Sequence, residues 1–187
     1  MEQAATKETI RNGVNVTDLM STIEAVQQDP SLANFKFSAQ NQWLDGGHNR
    51  STIQEFYGCG QIDRSRSQPF ELDADEPPVL LGRDAGANPV EFILHGLAGC
   101  MTTSMVYHAA ARGIEIGAVE SEFEGDLDLR GFLGLSDEVR KGYKQIRVSI
   151  RVQSAASVET LRECLSFSPV YEMISRSLPV DVKIETY

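Results

Sequence analysis

The order of sequence patterns along this chain predicts an α+β fold, with helices packed on an antiparallel-rich sheet. Three observations support this prediction. Segments that alternate apolar and polar residues occur before residue 73 and again after residue 114. Between them, residues 90–111 are apolar on nearly every face of a helix, which is typical of a buried position. Two short helix signals then precede a last alternating segment.

The first half of the chain carries one helix signal followed by strand signals. Thr17 is a suitable N-cap, and Asp29-Pro30 ends the amphipathic pattern that follows it. Alternation predicts three strands, over residues 35–43, 51–57 and 68–72. Because the helix precedes the first strand, we expect residues 1–33 to be a helical extension and residues 34–187 to be the main domain.

A long helix is expected to begin at Pro89, with Asn88 as its cap, and to end near Arg112, before Gly113. The preceding residues 73–88 are rich in acid, glycine and proline and are expected to be a loop that leads into the helix, and the acidic run at residues 71–76 is expected to be a solvated loop. Beyond the helix, alternation predicts strands over residues 115–130, 143–152 and 179–186. Two helices are expected between the last two strands, over residues 157–166 and from Ser168-Pro169 onward.

Composition limits the partners of the protein. Its 187 residues include 17 Lys and Arg against 27 Asp and Glu, which gives a net charge of −10. Nucleic acid and anionic membrane surfaces both require clustered basic residues, so neither is an expected partner. The three cysteines do not make a disulfide framework and lack the paired spacing of zinc ligands. We therefore expect no metal and no cofactor.

The apolar residues 90–111 do not have the pattern of a membrane span. They include His95, Ser104 and His108, which interrupt the apolar run. The first residues of the chain also lack the basic and apolar regions of a secretory signal. Both observations favour a cytoplasmic location, where thiols remain reduced.

Cys100, within the apolar stretch, is the most informative residue. Free cysteines are most often small buried hydrophobes, and spacing alone favours that interpretation. However, Ser104 and His108 follow at intervals of four residues and share its helical face. His108 lies about 12 Å away along the axis, too far to be a base for the thiol. Glu91 lies about 13 Å away on the opposite side, so it could reach Cys100 only from a bent helix or from the partner chain of a dimer.

The other candidates have simpler explanations. Cys164 is expected to pack on a helix face, and Cys59 lies at a strand end or turn. The acidic alternation of Glu124, Asp126 and Asp128 is typical of a solvated strand face rather than a metal site, because no histidine accompanies it.

Several separated segments of the chain are similar to one known family. They are NPVEFILHGLAGC with its Thr/Ser-rich continuation, a helix end in AARGI, the segment EGDLDLRGFLGL, and SPV at a late helix start. Over residues 35–187 the chain resembles the OsmC/Ohr family (osmotically inducible protein C and organic hydroperoxide resistance protein). The resemblance implies an OsmC-like fold, with strands wrapped around two central helices in an intertwined homodimer and with active sites at the dimer interface.

The resemblance also implies a chemistry. In active family members a thiolate attacks the peroxide O–O bond, a second cysteine condenses with the sulfenic acid, and a dithiol reduces the disulfide. Cys100 matches the reactive cysteine, and Glu91 matches the catalytic glutamate. The position of the second cysteine is Ser168, which cannot form a disulfide, and Cys164 is the nearest replacement. The family's arginine has no direct counterpart, and the candidates are Arg83, Arg64 and Arg66.

Two functions follow from these residues and the resemblance. The first is a thiol-dependent hydroperoxide reductase in which Cys100 is the nucleophile, Glu91 orients a nearby cation, and Cys164 or an external thiol resolves the sulfenic acid. The second is a non-catalytic protein of the same fold that binds a small apolar molecule near Cys100. Cysteine-dependent acyl transfer ranks third, because no base lies within reach of the thiol. The expected partners are a second copy of the chain, a hydroperoxide and a thiol reductant.

Overall fold

The computed structural model describes residues 8–187, so the first seven residues of the expected extension lie outside the described part. The described chain divides into two compact units. We call them the helix–sheet unit, which consists of residues 8–19 and Leu94–Tyr187, and the strand unit, which consists of Met20–Ile93.

Ten strands and five α-helices are present in the described residues. In chain order they are β1 (Ile10–Arg11), β2 (Val14–Asn15), α1 (Val16–Gln28), β3 (Gln40–Asp45), β4 (His48–Ile53), β5 (Phe56–Gly58), β6 (Gln61–Asp63), β7 (Phe70–Ala74), α2 (Pro89–Ala111), β8 (Ala118–Asp126), α3 (Leu129–Phe132), β9 (Gln145–Gln153), α4 (Val158–Leu165), α5 (Pro169–Ser175) and β10 (Val180–Thr186). Short 3-10 turns lie at Pro30–Ala33 and Pro78–Leu80.

The strand unit is built from short antiparallel strands. β3, β4 and β7 form one sheet in that order, and β5 pairs with β6. Gly46, with a φ of +57°, makes the tight turn between β3 and β4. This sheet places β7 directly before the loop that leads into α2.

Two predicted strands in this unit have wrong boundaries. Phe35 and Phe37 lie before β3, and their rings pack with Phe56 at centroid distances of 6.3 and 5.5 Å. Their alternation therefore reflects an aromatic cluster rather than the pleat of a strand. Residues 51–57 are also not one strand, because β4 ends at Ile53 and β5 begins at Phe56.

The helix–sheet unit holds most of the buried apolar residues. β9 is the central strand of its sheet, antiparallel to β8 and parallel to β10, and α4 and α5 provide the crossover that parallel pairing requires. Alternate residues of β9 are buried, as its sequence predicts. The core consists mainly of Leu97, Met101, Met105, Ala109, Ala110, Ile146, Val148, Ile150, Val152, Leu161, Cys164, Leu165, Val182 and Ile184. This arrangement confirms the α+β class with antiparallel sheets.

The predicted strand over residues 115–130 is too long at its C-terminal end. β8 stops at Asp126, because the carboxylate of Asp128 accepts the backbone N–H of Arg130 at 3.1 Å and caps α3. The side chains of Arg130 and Lys144 bind the same carboxylate at 2.6 and 2.9 Å. The predicted loop over residues 131–142 therefore begins inside a short helix.

The described residues before α1, residues 8–15, are not helical. β1 and β2 form a small hairpin, and Asn12 joins it to the segment after α2. The Asn12 side chain donates to the carbonyl of Ile114 at 3.0 Å and accepts the N–H of Ile116 at 2.9 Å. The boundary of the extension at residue 33 stays a prediction.

Gly131→Ala is expected to lower the free energy of unfolding by about 1–3 kcal/mol. A Cβ atom at this position would lie 2.4 Å from the carbonyl oxygen of Arg140, and backbone atoms cannot move aside cheaply. Gly142→Ala is the matched control, because it lies in the same connection and has nothing within 4 Å of its Cβ position. Urea denaturation should separate the two variants, and equal stability would contradict this close packing.

Candidate active site

Both ends of α2, the helix that carries Cys100, are fixed by local hydrogen bonds. At its start, the side chain of Asn88 accepts the N–H of Val90 at 3.0 Å, and the carboxylate of Glu91 accepts the N–H of Asn88 at 2.9 Å. This reciprocal pair is a capping box. At its end, Gly113 has a φ of +79°, and the N–H of Ile114 donates to Ala109 at 2.9 Å in a Schellman motif. The predicted start of the helix is confirmed.

Cys100 lies at the border of the buried stripe of α2. Its neighbours Leu97 and Met101 are fully buried, whereas Cys100 itself is half-buried. Ser104 and His108 are also half-buried and continue the same helical face, as their spacing predicts. The thiol therefore combines an apolar environment with partial access from outside the chain.

His108 is a packed helix-end histidine. Its ring stacks on Phe167 with a centroid distance of 4.1 Å. Burial lowers the pKa of His108, and the positive charge of Arg112 lowers it further. This agrees with the sequence interpretation, which did not assign His108 as a base for Cys100.

Glu91 and Cys100 are not brought together on one helix. Because α2 is continuous, their separation of nine positions corresponds to about 13 Å along its axis. Within its own chain, the carboxylate of Glu91 has a structural partner in the N–H of Asn88.

Cys164 is completely buried on α4 and lies beside Arg112. Burial raises the pKa of the Cys164 thiol, and the charge of Arg112 opposes this increase. Arg112 follows Cys100 by 12 residues, about 18 Å along the axis of α2, whereas a disulfide needs Cα atoms within about 7 Å. Cys100 and Cys164 are both free thiols in this conformation.

Ser168, at the position of the family's second cysteine, is the N-cap of α5. It is completely buried, and its hydroxyl accepts the N–H of Tyr171 at 3.2 Å. A serine satisfies this helix start, as the Ser168-Pro169 pattern predicts. Cys59, the third cysteine, is exposed in the turn between β5 and β6.

The three candidate arginines each have a neighbour within the strand unit. Arg83 forms an ion pair with Asp45, and Arg64 lies 3.1 Å from Glu55. The guanidinium of Arg66 lies over the rings of Phe56 and Phe70, at 5.2 and 5.4 Å from their centroids. None of these contacts involves a thiol.

The segment between β7 and α2, residues 75–88, is organised around a buried carboxylate, and we call it the Asp75 loop. Asp75 is 2% exposed and accepts the backbone N–H groups of Glu76, Arg83 and Ala85 at 2.8, 3.0 and 3.2 Å. Burial alone would raise the pKa of Asp75, but these three donors together hold it below its ordinary value. The expectation of a solvated loop is wrong here.

A second charged cluster next to this loop was also not predicted. Asp73 binds His48 at 2.8 Å and Arg50 at 3.0 Å, and these contacts, with Arg50 the larger contributor, lower the pKa of the Asp73 carboxyl. β4 and β7 place the three residues side by side, with Arg50 directly opposite Asp73. Only the strand pairing brings them together, so no local sequence signal could have found them.

Two further features concern ligands and membranes. Within residues 8–187, no group of three or more His, Cys, Asp or Glu side chains is arranged to hold a metal ion. Over the same range, no helix has both the length and the apolar character that crossing a bilayer requires.

The described residues form an α+β protein with a half-buried thiol, Cys100, on α2. The sequence profile of the family described as OsmC-like protein matches residues 82–185, which is more than half of the chain. The chain therefore belongs to the OsmC-like protein family. Comparison with curated proteins found no match.

Solved structures of the family share the fold. The OsmC-like protein of Mycoplasma pneumoniae has a TM-score of 0.60 at 16% identity, covering 81% of this chain and 96% of that one. An organic hydroperoxide resistance protein OsmC of Legionella pneumophila has a TM-score of 0.52 at 20% identity, and the match covers 81% of this chain and 96% of that one. An organic hydroperoxide resistance protein of Elizabethkingia anophelis has a TM-score of 0.55 at 12% identity, and the match covers 81% of this chain and 97% of that one.

Asp75→Asn is expected to lower the free energy of unfolding at neutral pH and to make it less dependent on pH in the acidic range. Because folding lowers the pKa of Asp75, the carboxylate stabilises the protein above its ordinary pKa of about 4, and this contribution is lost as the pH falls towards the folded value. An asparagine would also turn an NH₂ group towards backbone donors.

Urea unfolding at neutral pH and near pH 3 would measure this effect. The difference between the wild type and Asp75→Asn should shrink in acid. Asp84→Asn is the matched control, since Asp84 lies in the same loop at a φ of 54° that asparagine tolerates. A stability difference for Asp75→Asn that is independent of pH would show that the charge of Asp75 is not the cause.

Proposed function

We propose that this protein is a thiol-dependent hydroperoxide reductase that works as a homodimer, with Cys100 as its nucleophile. The observation that carries the proposal is the half-buried thiol on the capped helix α2 of an OsmC-like protein. Structural relatives named as organic hydroperoxide resistance proteins support the same chemistry.

Burial distinguishes Cys100 from the other two cysteines. Cys164 has no exposed surface and a raised pKa, so neither access nor ionisation favours its attack on a peroxide. Cys59 is exposed in a turn, without the burial that would protect an oxidised sulfur. Cys100 alone has partial access together with buried apolar neighbours.

The proposed reaction is a two-electron reduction of the hydroperoxide. The Cys100 thiolate attacks the terminal oxygen of ROOH, an S–O bond forms, and the O–O bond breaks. The leaving alkoxide takes up a proton to give ROH, and Cys100 becomes a sulfenic acid. A thiol R′SH then condenses with the sulfenic acid and releases water, and a second R′SH restores the Cys100 thiol and leaves R′SSR′.

An external thiol reductant fits this chain better than an internal one. Ser168 cannot form a disulfide, and Cys164 is buried beside Arg112 at the far end of α2 from Cys100. Because Cys164 is completely buried, its attack on an oxidised Cys100 would require local movement. We therefore assign resolution to a small or protein thiol from outside the chain.

The strand unit supports the dimer. Within residues 20–93, all of which the structure describes, Ala74 is the single apolar side chain that is buried. Complete burial of one alanine, with partial burial of side chains such as Ile53 and Phe56, offsets only part of the conformational entropy that is lost on ordering so many residues. The exposed apolar side chains of the unit include Phe37, Trp43, Phe70, Val79, Leu81 and Ile93. We propose that a second copy of the chain packs over these side chains.

The dimer also gives Glu91 a catalytic role. Glu91 does not reach Cys100 along its own helix, and it is exposed at the start of α2. We propose that it acts at the thiol of the partner chain, where it orients a cation that stabilises the thiolate. Arg83 is our first candidate for this cation, because it lies in the Asp75 loop that precedes Glu91.

A non-catalytic role remains the second candidate function. In that case the pocket of Cys100 would bind a small apolar molecule and leave it unchanged. Ser168 in place of a cysteine and the ion pairs of Arg83 and Arg64 favour it. Peroxide consumption separates the two functions.

Cys100→Ser is expected to abolish the consumption of cumene hydroperoxide in the presence of dithiothreitol, by at least about a thousandfold. Cys59→Ser is the matched control and should retain the wild-type rate, and Cys164→Ser should retain activity as well. After one equivalent of hydroperoxide without thiol, intact-mass analysis should show oxygen added at Cys100. A rapid Cys100–Cys164 cross-link would instead restore a two-cysteine mechanism, and an inactive wild type would favour the binding function.

Light scattering is expected to give a mass of about twice 20.6 kDa. Glu91→Gln, which retains an acceptor for the N–H of Asn88, should lower kcat/KM at least about tenfold. Co-expressed Cys100→Ser and Glu91→Gln chains should then regain activity, because the first chain supplies Glu91 to the intact thiol of the second. A monomer, or mixed dimers without regained activity, would contradict action across the interface.

A further inference from the structure

The hydroxyl of Ser104 is an unused hydrogen-bond donor on the face of α2 that carries Cys100. A serine in or directly after a helix commonly donates to a carbonyl three or four residues earlier, as Ser166 and Ser177 do at 2.7 and 3.1 Å. Ser104 does not donate to the corresponding carbonyl of Cys100, and within residues 8–187 its hydroxyl has no hydrogen-bond partner. Because no completely buried side-chain oxygen in this range lacks a partner, part of the Ser104 hydroxyl is accessible.

Helical geometry places this hydroxyl beside the thiol. Residues four apart on a helix have Cβ atoms about 5–6 Å apart, and helical side chains lean towards the N-terminus, so that of Ser104 leans towards Cys100. Ser104 is turned by about 40° from Cys100 towards the buried residues Met101 and Met105, whereas Thr103 is turned by about 60° to the exposed side. The donor therefore lies on the apolar side of the thiol, where a hydrogen bond to a charged oxygen is stronger than in water.

The separation of the two side chains fits a hydroperoxide held between them. A thiolate attacks the outer oxygen of ROOH from about 3 Å, and the leaving oxygen lies one O–O bond further along the same line, about 5 Å from the sulfur. A hydroxyl on the next turn of the helix is then within hydrogen-bond distance, about 2.8 Å, of the leaving oxygen. Ser104 occupies this position relative to Cys100.

We propose that Ser104 is a catalytic residue that donates a hydrogen bond to the leaving oxygen of the hydroperoxide when the Cys100 thiolate attacks. The proposal rests on the proposed function, because it needs Cys100 as the nucleophile. The S–O bond forms and the O–O bond breaks, so the sulfur loses two electrons and the peroxide gains them. The Ser104 hydroxyl stabilises the negative charge of the departing alkoxide RO⁻, which takes a proton from water and leaves as ROH. This role is separate from the proposed role of Glu91 across the dimer.

Ser104→Ala removes the donor, and alanine is the residue that a helix tolerates best. The rate at which one equivalent of cumene hydroperoxide oxidises Cys100 without reductant, followed by peptide mass analysis, should fall at least about tenfold. Oxidation of Cys100 by peracetic acid should stay within about twofold of the wild-type rate, because its leaving group, acetate, is weakly basic and needs no donor. Alkylation of Cys100 by iodoacetamide, in which no oxygen leaves, should also be unchanged. A merely structural role of Ser104 would lower all three rates.

Thr103→Ala is the matched control, because it removes a neighbouring hydroxyl on the exposed side of Cys100 and should keep all three wild-type rates. Ser104→Thr retains a hydroxyl at the proposed position and should restore most of the oxidation rate with cumene hydroperoxide. A loss for Thr103→Ala that equals the loss for Ser104→Ala would contradict the assignment to Ser104.

These measurements separate the role of Ser104 from the proposed function. If Ser104→Ala slows the oxidation of Cys100 but the wild type shows no turnover with dithiothreitol, the reductase function fails and the role of Ser104 stands. If the wild type turns over and Ser104→Ala is oxidised at the wild-type rate, or if all three rates fall together, the role of Ser104 is overturned and Cys100 remains the nucleophile. A wild type in which cumene hydroperoxide does not oxidise Cys100 would overturn both.

Discussion

Within one chain the strand unit buries a single apolar side chain, Ala74, and the proposed dimer is argued from this constraint. The strands of its sheet are paired by backbone hydrogen bonds. Ala74 is buried, but large apolar side chains such as Trp43 and Phe70 are exposed. Backbone pairing adds little net stability, because the unfolded chain bonds equally well to water. The proposed dimer would cover this unit, and the proposed role of Glu91 depends on the same second copy of the chain.

Electrostatics compensate locally for the missing apolar core. Asp73 lies on β7 and Asp75 directly follows this strand, and the pKa of each carboxyl is lowered. Backbone donors hold one of them, and Arg50 and His48 hold the other. In a chain with a net charge of −10, such contacts let a rigid loop form around carboxylates rather than around apolar side chains.

The elements that the sequence predicts well are those with local causes. The capping box at Asn88, the serine cap at Ser168 and the alternating core of β9 each depend on residues that are close in the chain. The strand boundary near Phe37 depends on the packing of its ring with Phe56, and the contact of Asp73 with Arg50 depends on the pairing of β4 with β7. Periodicity along the chain cannot show contacts between distant residues. For the candidate site, spacing on α2 showed the polar face that Cys100 shares with Ser104 and His108, and the resemblance to the family made Cys100 the candidate nucleophile. Neither could identify the Asp75 loop.

The capping box of α2 has a consequence for how the site is assembled. The carboxylate of Glu91 closes the first turn of its own helix by accepting the N–H of Asn88. If the same carboxylate turns to a cation at the partner's thiol, that N–H loses its acceptor and the first turn loosens. Association of the chains would then increase the rate of amide hydrogen exchange at Asn88. The helix cap and the cation at the thiol would compete for the same carboxylate.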